Sequence, residues 1–268
     1  MRFAKGHGTQ NDFVILPDPG DSIDLHPRFV ARLCDRREGL GADGVLRAVR
    51  TDASGDCGWF MDYRNADGSI AEMCGNGIRV FTRYLLAKGM ATGDELIVGT
   101  RAGPRAVRVV PGGFAVEMGV PAVLGHASAI VAGQVCEGVR ISVGNPHLAC
   151  LVDAPLDKFD LSAPPELDPG EFPDGGNVEL VRVTGRAAVQ MRVHERGSGE
   201  TRSCGTGAVA AAVAAAHSAG EATGTWRVEV PGGNLTVTLG ASTSWLTGPA
   251  VIVAEGELCD DWIAAEAT

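Results

Sequence analysis

The sequence predicts an α+β protein built from two similar halves, and three observations support this. Short stretches of alternating or β-branched residues, separated by Gly, Pro, Asn and Asp, predict many strands. Two longer apolar stretches predict helices. A cysteine followed by Gly-X-Gly precedes each of them, at Cys74 and again 130 residues later at Cys204. The 268 residues are enough for one large domain or for two domains of about 130 residues each.

The strand pattern occurs throughout the chain. It covers Phe13–Leu16, Arg105–Val110, Phe114–Val120, His147–Val152, Ala188–Glu195, Trp226–Val230, Asn234–Leu239 and Ala250–Gly256. The first helix is predicted over Ile78–Lys88, with Gly89 as the residue that ends it. The second, over Ala208–Ala219, is apolar on nearly every side, which predicts a buried helix that ends at Gly220.

The order of polar residues before each cysteine indicates a duplication. Asn65 and Glu195 each lie nine residues before the cysteine of their half, and Asn11 and Asn145 lie 63 and 59 residues before it. Chance could produce two Gly-rich turns, but it explains this shared order less well. We therefore predict a duplicated unit of about 130 residues, with its junction near Val116–Val120.

Charge and hydropathy limit the kinds of partner. The net charge of −10 argues against nucleic acid and anionic membranes, which attract basic surfaces. It still allows an anionic small molecule, because a few local donors can hold a carboxylate. The start of the chain lacks an apolar signal-peptide core, and the longest apolar run, Ala208–Ala216, is far shorter than a membrane span. We expect a soluble, cytoplasmic protein.

The seven cysteines do not form a disulfide or metal framework in the sequence. No Cys-x-x-Cys is present, and no histidines follow at zinc-finger spacing, so we expect no metal site. Small buried hydrophobic side chains are expected for Cys34, Cys57, Cys136, Cys150 and Cys259. The Gly-rich surroundings set Cys74 and Cys204 apart from these five.

A cysteine at a helix start combines a reactive thiol with an anion site. The helix N-terminus presents unpaired N–H groups and a positive partial charge, which bind carboxylates and favour a thiolate. Two such motifs acting on one small anion could take an α-proton from one face and return a proton to the other, as a racemase or epimerase must. The chain shows no obvious pyridoxal-phosphate pocket, so the α-carboxylate would have to carry the developing charge.

Other readings of these residues stay open at this stage. One cysteine could be a nucleophile with His147 as its base, although the second equivalent cysteine is then unexplained. A thiol redox protein or a ligand-binding protein is the alternative from a different class. The remaining candidates also have structural readings: turn residues for Asn11, Asn145 and Asn177, a structural histidine for His147, and a solvated surface pair for Glu195 with Arg196.

Five segments identify a family resemblance. Asn65–Phe81 and Glu195–Ala208 closely resemble the two active-site signatures of the diaminopimelate epimerase family. Lys5–Val14, Gly144–Cys150 and Phe172–Glu179 match three further segments of it, in order. The resemblance covers nearly the whole chain. It implies an isomerase that interconverts LL- and meso-2,6-diaminopimelate without a cofactor, for lysine and peptidoglycan precursor synthesis. It also implies a homodimer.

The resemblance implies an architecture as well. Each of two pseudo-symmetric domains would be a curved, mostly antiparallel sheet wrapped around a central helix, and the C-terminal strand would return to the first domain. Here this corresponds to an N-terminal half of residues 1–116 plus 249–268, carrying Cys74, and a C-terminal half of residues 117–248, carrying Cys204. The two predicted helices would be the central ones.

The site residues follow from the same resemblance. Cys74 and Cys204 would be the acid–base pair, with His147 tuning Cys74 and Glu195 tuning Cys204. The resemblance implies that the reacting carboxylate is held by the backbone N–H groups of Gly75, Asn76, Gly205 and Thr206. Asn11 and Glu195 would also contact the substrate, Asn11 at its reacting end. The distal end would be recognised by Asn65, Asn145, Asn177 and Arg196.

This chain departs from the family pattern at one position. Some family members have a substrate-contacting Gln where this chain has Gly44, so backbone or water would have to substitute there. A related two-cysteine enzyme, such as a proline racemase, is the nearest alternative. Arg196 and three Asn residues favour a substrate with a second charged end, which proline lacks.

Overall fold

The computed structural model describes residues 1–51 and 58–264, and the chain divides into two compact units. Unit 1 comprises Met1–Val116 and Pro249–Thr268, and unit 2 comprises Glu117–Gly248. Cys57 lies outside the described residues. No helix in the described part of the chain is long and apolar enough to cross a membrane.

Unit 1 begins with seven strands and two helices among the described residues. They are β1 (Arg2–Gly8), β2 (Asn11–Pro17), α1 (Pro27–Cys34), β3 (Gly44–Arg50), β4 (Trp59–Asn65), α2 (Gly75–Ala87), β5 (Glu95–Gly99), β6 (Arg105–Val110) and β7 (Gly113–Gly119), the last of which runs across the boundary into unit 2.

Unit 2 contains the next ten strands, one α-helix and one short 3-10 helix (Leu156–Lys158) in its described chain. They are β8 (Ala122–Val131), β9 (Gln134–Ser142), β10 (Pro146–Leu151), β11 (Glu166–Leu167), β12 (Asn177–Gly185), β13 (Ala188–Glu195), β14 (Gly199–Thr201), α3 (Gly205–Ser218), β15 (Gly224–Val230), β16 (Gly233–Leu239) and β17 (Ser244–Gly248). The chain then returns to unit 1 with β18 (Val251–Glu257) and α4 (Asp260–Ala264).

The two units repeat one strand order. In unit 1 the order is β18-β1-β2-β3-β4-β5-β6-β7, with parallel pairing only at β2–β3 and β4–β5 among these neighbours. In unit 2 it is β8-β9-β10-β12-β13-β15-β16-β17, with parallel pairing at the corresponding β10–β12 and β13–β15. Parallel and antiparallel strand pairs follow one another in the same order in both units, which supports the duplication that the cysteine motifs predict.

Each sheet curves around one helix. In unit 1, α2 packs against β1 to β5 and β18, and in unit 2, α3 packs against β9, β10, β12, β13, β15, β16 and β17. Residues Ala208–Ala216 of α3 are all buried, and their small side chains let the strands approach the helix from every side. The predicted fold class, two α+β domains with mostly antiparallel sheets around central helices, is confirmed.

The helices end where predicted but begin earlier. Gly89 and Gly220 follow the C-caps with φ of +64° and +72°, the left-handed conformation that glycine adopts without strain. The predicted starts, Ile78 and Ala208, were three residues late because the Gly-X-Gly segment is the first helical turn and not a preceding loop. Glycine is a poor helix former, so propensity alone masks this turn.

The buried environment predicted for five cysteines is only partly correct. Cys34, Cys136 and Cys150 are buried, as expected. Burial raises the pKa of Cys34 to about 12, which makes its thiol inert at neutral pH. Cys259 is exposed, so the prediction was wrong there: it follows β18 and lies next to the short α4, where few elements cover it.

Candidate active site

Each of the two motif cysteines is the N-cap of the central helix in its own unit. Cys74 and Cys204 have extended backbone conformations, with φ of −144° and −114°. The Sγ of Cys74 accepts the N–H of Gly77 at 3.3 Å, and the Sγ of Cys204 accepts that of Gly207 at 3.4 Å. The sulfur therefore takes the position that a Ser or Asp oxygen usually has in a helix cap. In this position the helix dipole favours the thiolate form.

In unit 1, an amide network lies next to Cys74. The Cys74 Sγ lies 3.8 Å from Asn11 Oδ1, and this oxygen also accepts the Asn76 amide at 3.2 Å. The Asn11 amide donates to Asp43 Oδ2 at 2.8 Å, which fixes its orientation. The structure thus brings three predicted site residues, Cys74, Asn11 and Asn76, into one hydrogen-bonded group.

A buried arginine on α2 completes the surroundings of Cys74. The side chain of Arg79 is fully buried, and its Nη2 donates to Asn76 Oδ1 at 2.7 Å and to Thr9 Oγ1 at 3.1 Å. Burial lowers the pKa of Arg79 to about 10, so it stays charged at neutral pH, and an ionised Cys74 opposes this shift. Arg79 was not predicted as a site residue; the signal in the sequence was a charged residue next to the apolar stripe of a buried helix.

In unit 2, Cys204 lies between a carboxylate and a hydroxyl. The side chain of Cys204 is hydrogen bonded to Glu195, and its Sγ lies 3.5 Å from Thr206 Oγ1. Burial is the main cause that raises the pKa of Cys204 well above its usual value, and the negative charges of Glu195 and Glu179 add to it. Burial also raises the pKa of Glu195, while the hydroxyl of Thr201 donates to its Oε1. Cys204 is therefore a thiol near neutral pH.

Both ring nitrogens of the buried His147 have a hydrogen-bond partner. Its Nδ1 is 2.7 Å from Glu179 Oε1, and its Nε2 is 2.9 Å from Asn145 Oδ1. The Asn145 amide in turn donates to Thr206 Oγ1 at 3.4 Å. Glu179 was not predicted from the sequence, although it lies two residues after Asn177 on the same face of β12.

Two of the residues expected at the distal end of a substrate, Asn177 and Arg196, also meet in unit 2. Asn177 Oδ1 accepts the backbone N–H of Arg196 at 3.0 Å, and the Asn177 amide donates to the Pro146 carbonyl at 3.1 Å. The Arg196 guanidinium is exposed and donates to the Asp174 carbonyl at 3.1 Å. A cavity of about 250 Å³ is lined by residues that include Arg196 and His147.

Asn65 and Gly44 form a neighbouring pair at the end of β4. Gly44 is opposite Asn65 in the β3–β4 register, and the Asn65 amide donates to Ser69 Oγ at 3.0 Å. A Cβ at Gly44 would lie 2.5 Å from the Arg64 carbonyl oxygen. The backbone here therefore leaves no room for the Gln that some family members carry, unless the strands move apart.

The predicted residues thus fall into two groups. Unit 1 holds Cys74, Gly75, Asn76, Asn11 and Asn65, and unit 2 holds Cys204, Gly205, Thr206, Asn145, His147, Asn177, Glu195 and Arg196. His147 contacts groups of unit 2, and its expected effect on Cys74 stays a prediction. Among the described residues no group of three or more His, Cys, Asp or Glu side chains is arranged to hold a metal ion.

The fold places the chain in a class of two-domain α+β proteins. A phenazine biosynthesis protein of the PhzF family from Bacillus anthracis has a similar structure, with a TM-score of 0.76 over 97% of this chain and 99% of the other, at 16% identity. That likeness concerns the fold alone.

The sequence comparison is more specific. A family model described as diaminopimelate epimerase matches residues 3–124 and 139–256. Diaminopimelate epimerase from Thermobifida fusca is 57% identical, covering 96% of this chain and 98% of that protein, and the one from Mycolicibacterium smegmatis is 53% identical, covering 98% of each. The chain belongs to the diaminopimelate epimerase family and is an isomerase. A cysteine nucleophile with His147 as its base, a thiol redox protein and a ligand-binding protein are therefore not favoured.

Proposed function

We propose that this chain interconverts LL- and meso-2,6-diaminopimelate by moving an α-proton with two cysteines and without a cofactor. Family membership supports the substrate, since the relatives from Thermobifida fusca and Mycolicibacterium smegmatis carry this activity in their names. One observation supports the mechanism: in each of the two units a cysteine caps the central helix, and the two units have the same strand order. One α-carbon has two faces, and a duplicated fold supplies one thiol for each.

The reaction we infer needs one thiolate and one thiol at a time. The thiolate takes the α-proton from one face, and the opposite thiol gives its own proton to the other face, so the two sulfurs exchange states in each turnover. The transient negative charge is delocalised onto the α-carboxylate. The first-turn N–H groups of Gly75, Asn76, Gly205 and Thr206 are suitable donors for this carboxylate because a helix N-terminus has unpaired N–H groups and a positive partial charge.

The surroundings of the two cysteines suggest different tasks for their neighbours. Glu195 can accept the proton of the Cys204 thiol, to which it is hydrogen bonded, and the raised pKa of this carboxyl makes it a better base than an exposed glutamate. Asn11 orients the reacting end, beside Cys74. We assign His147 to the tuning of Cys74 on the family resemblance.

Substrate selection rests on the distal residues. The exposed Arg196 guanidinium can hold the second carboxylate of diaminopimelate in a two-point contact, and Asn65, Asn145 and Asn177 can recognise the distal amino group. A proline-like substrate has no second charged end and would leave the Arg196 guanidinium without a carboxylate to bind. This set of residues therefore favours diaminopimelate over the substrates of related racemases.

The test is an incubation of the purified chain with LL-diaminopimelate in deuterated water, followed by proton NMR. We expect loss of the α-proton signal and formation of the meso isomer. Proline, glutamate and lysine serve as control substrates and should show no exchange. Exchange with a control substrate but not with diaminopimelate would assign the chain to another racemase, and no exchange with any of them would refute the proposal.

The metabolic setting follows from the substrate. Diaminopimelate links lysine and peptidoglycan precursor synthesis, and we place the reaction there. A cytoplasmic location and a homodimer stay predictions, and light scattering on the purified protein tests the homodimer.

A further inference from the structure

A buried, hydrogen-bonded His–Glu pair in unit 2 occupies positions that are apolar in unit 1. His147 and Glu179 are both 0% exposed and lie 2.7 Å apart. The second carboxylate oxygen of Glu179 is buried and has no hydrogen-bond partner among the described residues. A buried carboxylate with an unsatisfied oxygen costs folding free energy. A contribution to stability therefore does not explain the presence of this pair.

The strand registers identify the equivalent positions in unit 1. Parallel β10–β12 pairs His147 with Asn177 and Ala149 with Glu179, and parallel β2–β3 pairs Phe13 with Gly44 and Ile15 with Leu46. Each unit has an Asn two residues before the first position, Asn145 or Asn11. Phe13 therefore corresponds to His147, and Leu46 corresponds to Glu179.

The helix contacts confirm this correspondence. A Cβ at Gly207, in the first turn of α3, would lie 2.7 Å from Glu179 Oε1, and a Cβ at Gly77, in the first turn of α2, would lie 3.2 Å from Leu46 Cδ2. Leu46 and Phe13 are completely buried. The fold thus accepts two apolar side chains under the cysteine-bearing turn.

We propose that Glu179 is a positioning residue for the reaction: its carboxylate fixes His147, which holds Asn145 against the cysteine-bearing turn of α3. The contacts form one chain, from Glu179 through His147 and Asn145 to Thr206 Oγ1, which lies 3.5 Å from Cys204 Sγ. The inference rests on the proposed function only in taking Asn145 and Cys204 as active-site groups.

The charge of Glu179 also acts on Cys204. The carboxylates that raise the pKa of Cys204 are those of Glu195 on β13 and Glu179 on β12, after burial itself. His147 on β10 acts in the opposite direction on Glu195. Removal of Glu179 should therefore increase the thiolate fraction of Cys204 at a given pH, an effect of its charge and not of its packing.

The experiment converts the unit 2 pair into the unit 1 pair. The double variant His147→Phe/Glu179→Leu is compared with Glu179→Leu, Glu179→Gln and wild type. Leu46→Met in unit 1 is the matched control, a swap of similar volume at the equivalent buried position. The readouts are the urea midpoint, the kcat and KM for epimerisation, and the pH dependence of Cys204 alkylation by iodoacetamide, followed by peptide mapping without substrate.

We expect the double variant to keep or raise the urea midpoint, because replacing both partners of a buried hydrogen-bonded pair with apolar side chains of similar shape is often neutral or stabilising. The kcat of Glu179→Leu, which keeps His147, should fall roughly 10- to 100-fold, the scale of a small misplacement of catalytic groups. Alkylation of Cys204 should shift to lower pH in Glu179→Leu and in Glu179→Gln. Leu46→Met should change none of these values.

Three results would overturn the proposal. One is wild-type kcat and KM in Glu179→Leu; another is a double variant that fails to fold, which would make the pair structural. The third is an unchanged Cys204 alkylation profile in both Glu179 variants. Because alkylation is measured without substrate, this arm remains informative if the chain proves inactive on diaminopimelate.

Discussion

The substitution Gly207→Ala tests the packing under the cysteine-bearing turn of α3. The added Cβ would lie 2.7 Å from Glu179 Oε1, where an ordinary contact begins near 3.4 Å. The carboxylate cannot retreat easily, since it is buried and bonded to His147 at 2.7 Å. Alanine gains about 1 kcal/mol over glycine in a helix, and overpacking costs about 1–3 kcal/mol. We expect a net loss of up to about 2 kcal/mol in the free energy of unfolding.

The matched substitution in unit 1 is Gly77→Ala. Its Cβ would lie 3.2 Å from Leu46 Cδ2, a methyl group at the end of a flexible side chain. The gain from helix propensity should therefore remain, and we expect this variant to be as stable as wild type or up to about 1 kcal/mol more stable. Urea denaturation followed by circular dichroism measures both. Equal stabilities for the two variants would refute the reasoning, as would a failure of Glu179→Leu to restore the stability of Gly207→Ala.

Three further substitutions test the site itself. Arg79→Met removes a buried positive charge, so alkylation of Cys74 at a fixed pH should slow several-fold, and an unchanged rate would contradict the effect of Arg79 on this thiol. Glu195→Gln removes a negative charge that raises the pKa of Cys204, so its alkylation should move to lower pH, and a profile that stays in place would exclude this coupling. Arg196→Lys keeps the charge but loses the planar fork, and kcat/KM should fall by roughly 1–3 kcal/mol of transition-state binding; an unaltered kcat/KM would remove Arg196 from the site.

The sequence predicts the repeated parts of the fold well. Alternation predicts β6 and β13 with the bounds that the structure has, and the glycines after α2 and α3 mark where these helices end. These features are local, because the alternation of side chains along a strand and a left-handed glycine at a helix end each depend on a few consecutive residues. The short α1 was not predicted, since its eight residues carry too few apolar repeats to distinguish it from a loop.

The sequence alone does not show side-chain contacts that depend on the register between paired strands. Glu179 and His147 are 32 residues apart and meet only because β10 and β12 pair in parallel. Arg79 acts beside Cys74 because the sheet of unit 1 buries that face of α2. Such partners follow from strand pairing and burial, which no single segment of the sequence encodes.

The central claim is that the two cysteines serve opposite faces of one α-carbon, and elimination from β-halogenated diaminopimelate tests it most directly. Elimination needs one base and no returned proton, so Cys74→Ser and Cys204→Ser should each retain it while epimerisation is nearly abolished. The account predicts that the two variants process substrates of opposite α-configuration and that the double variant processes neither. Processing of the same stereoisomer by both, or near wild-type epimerisation by either, would contradict it.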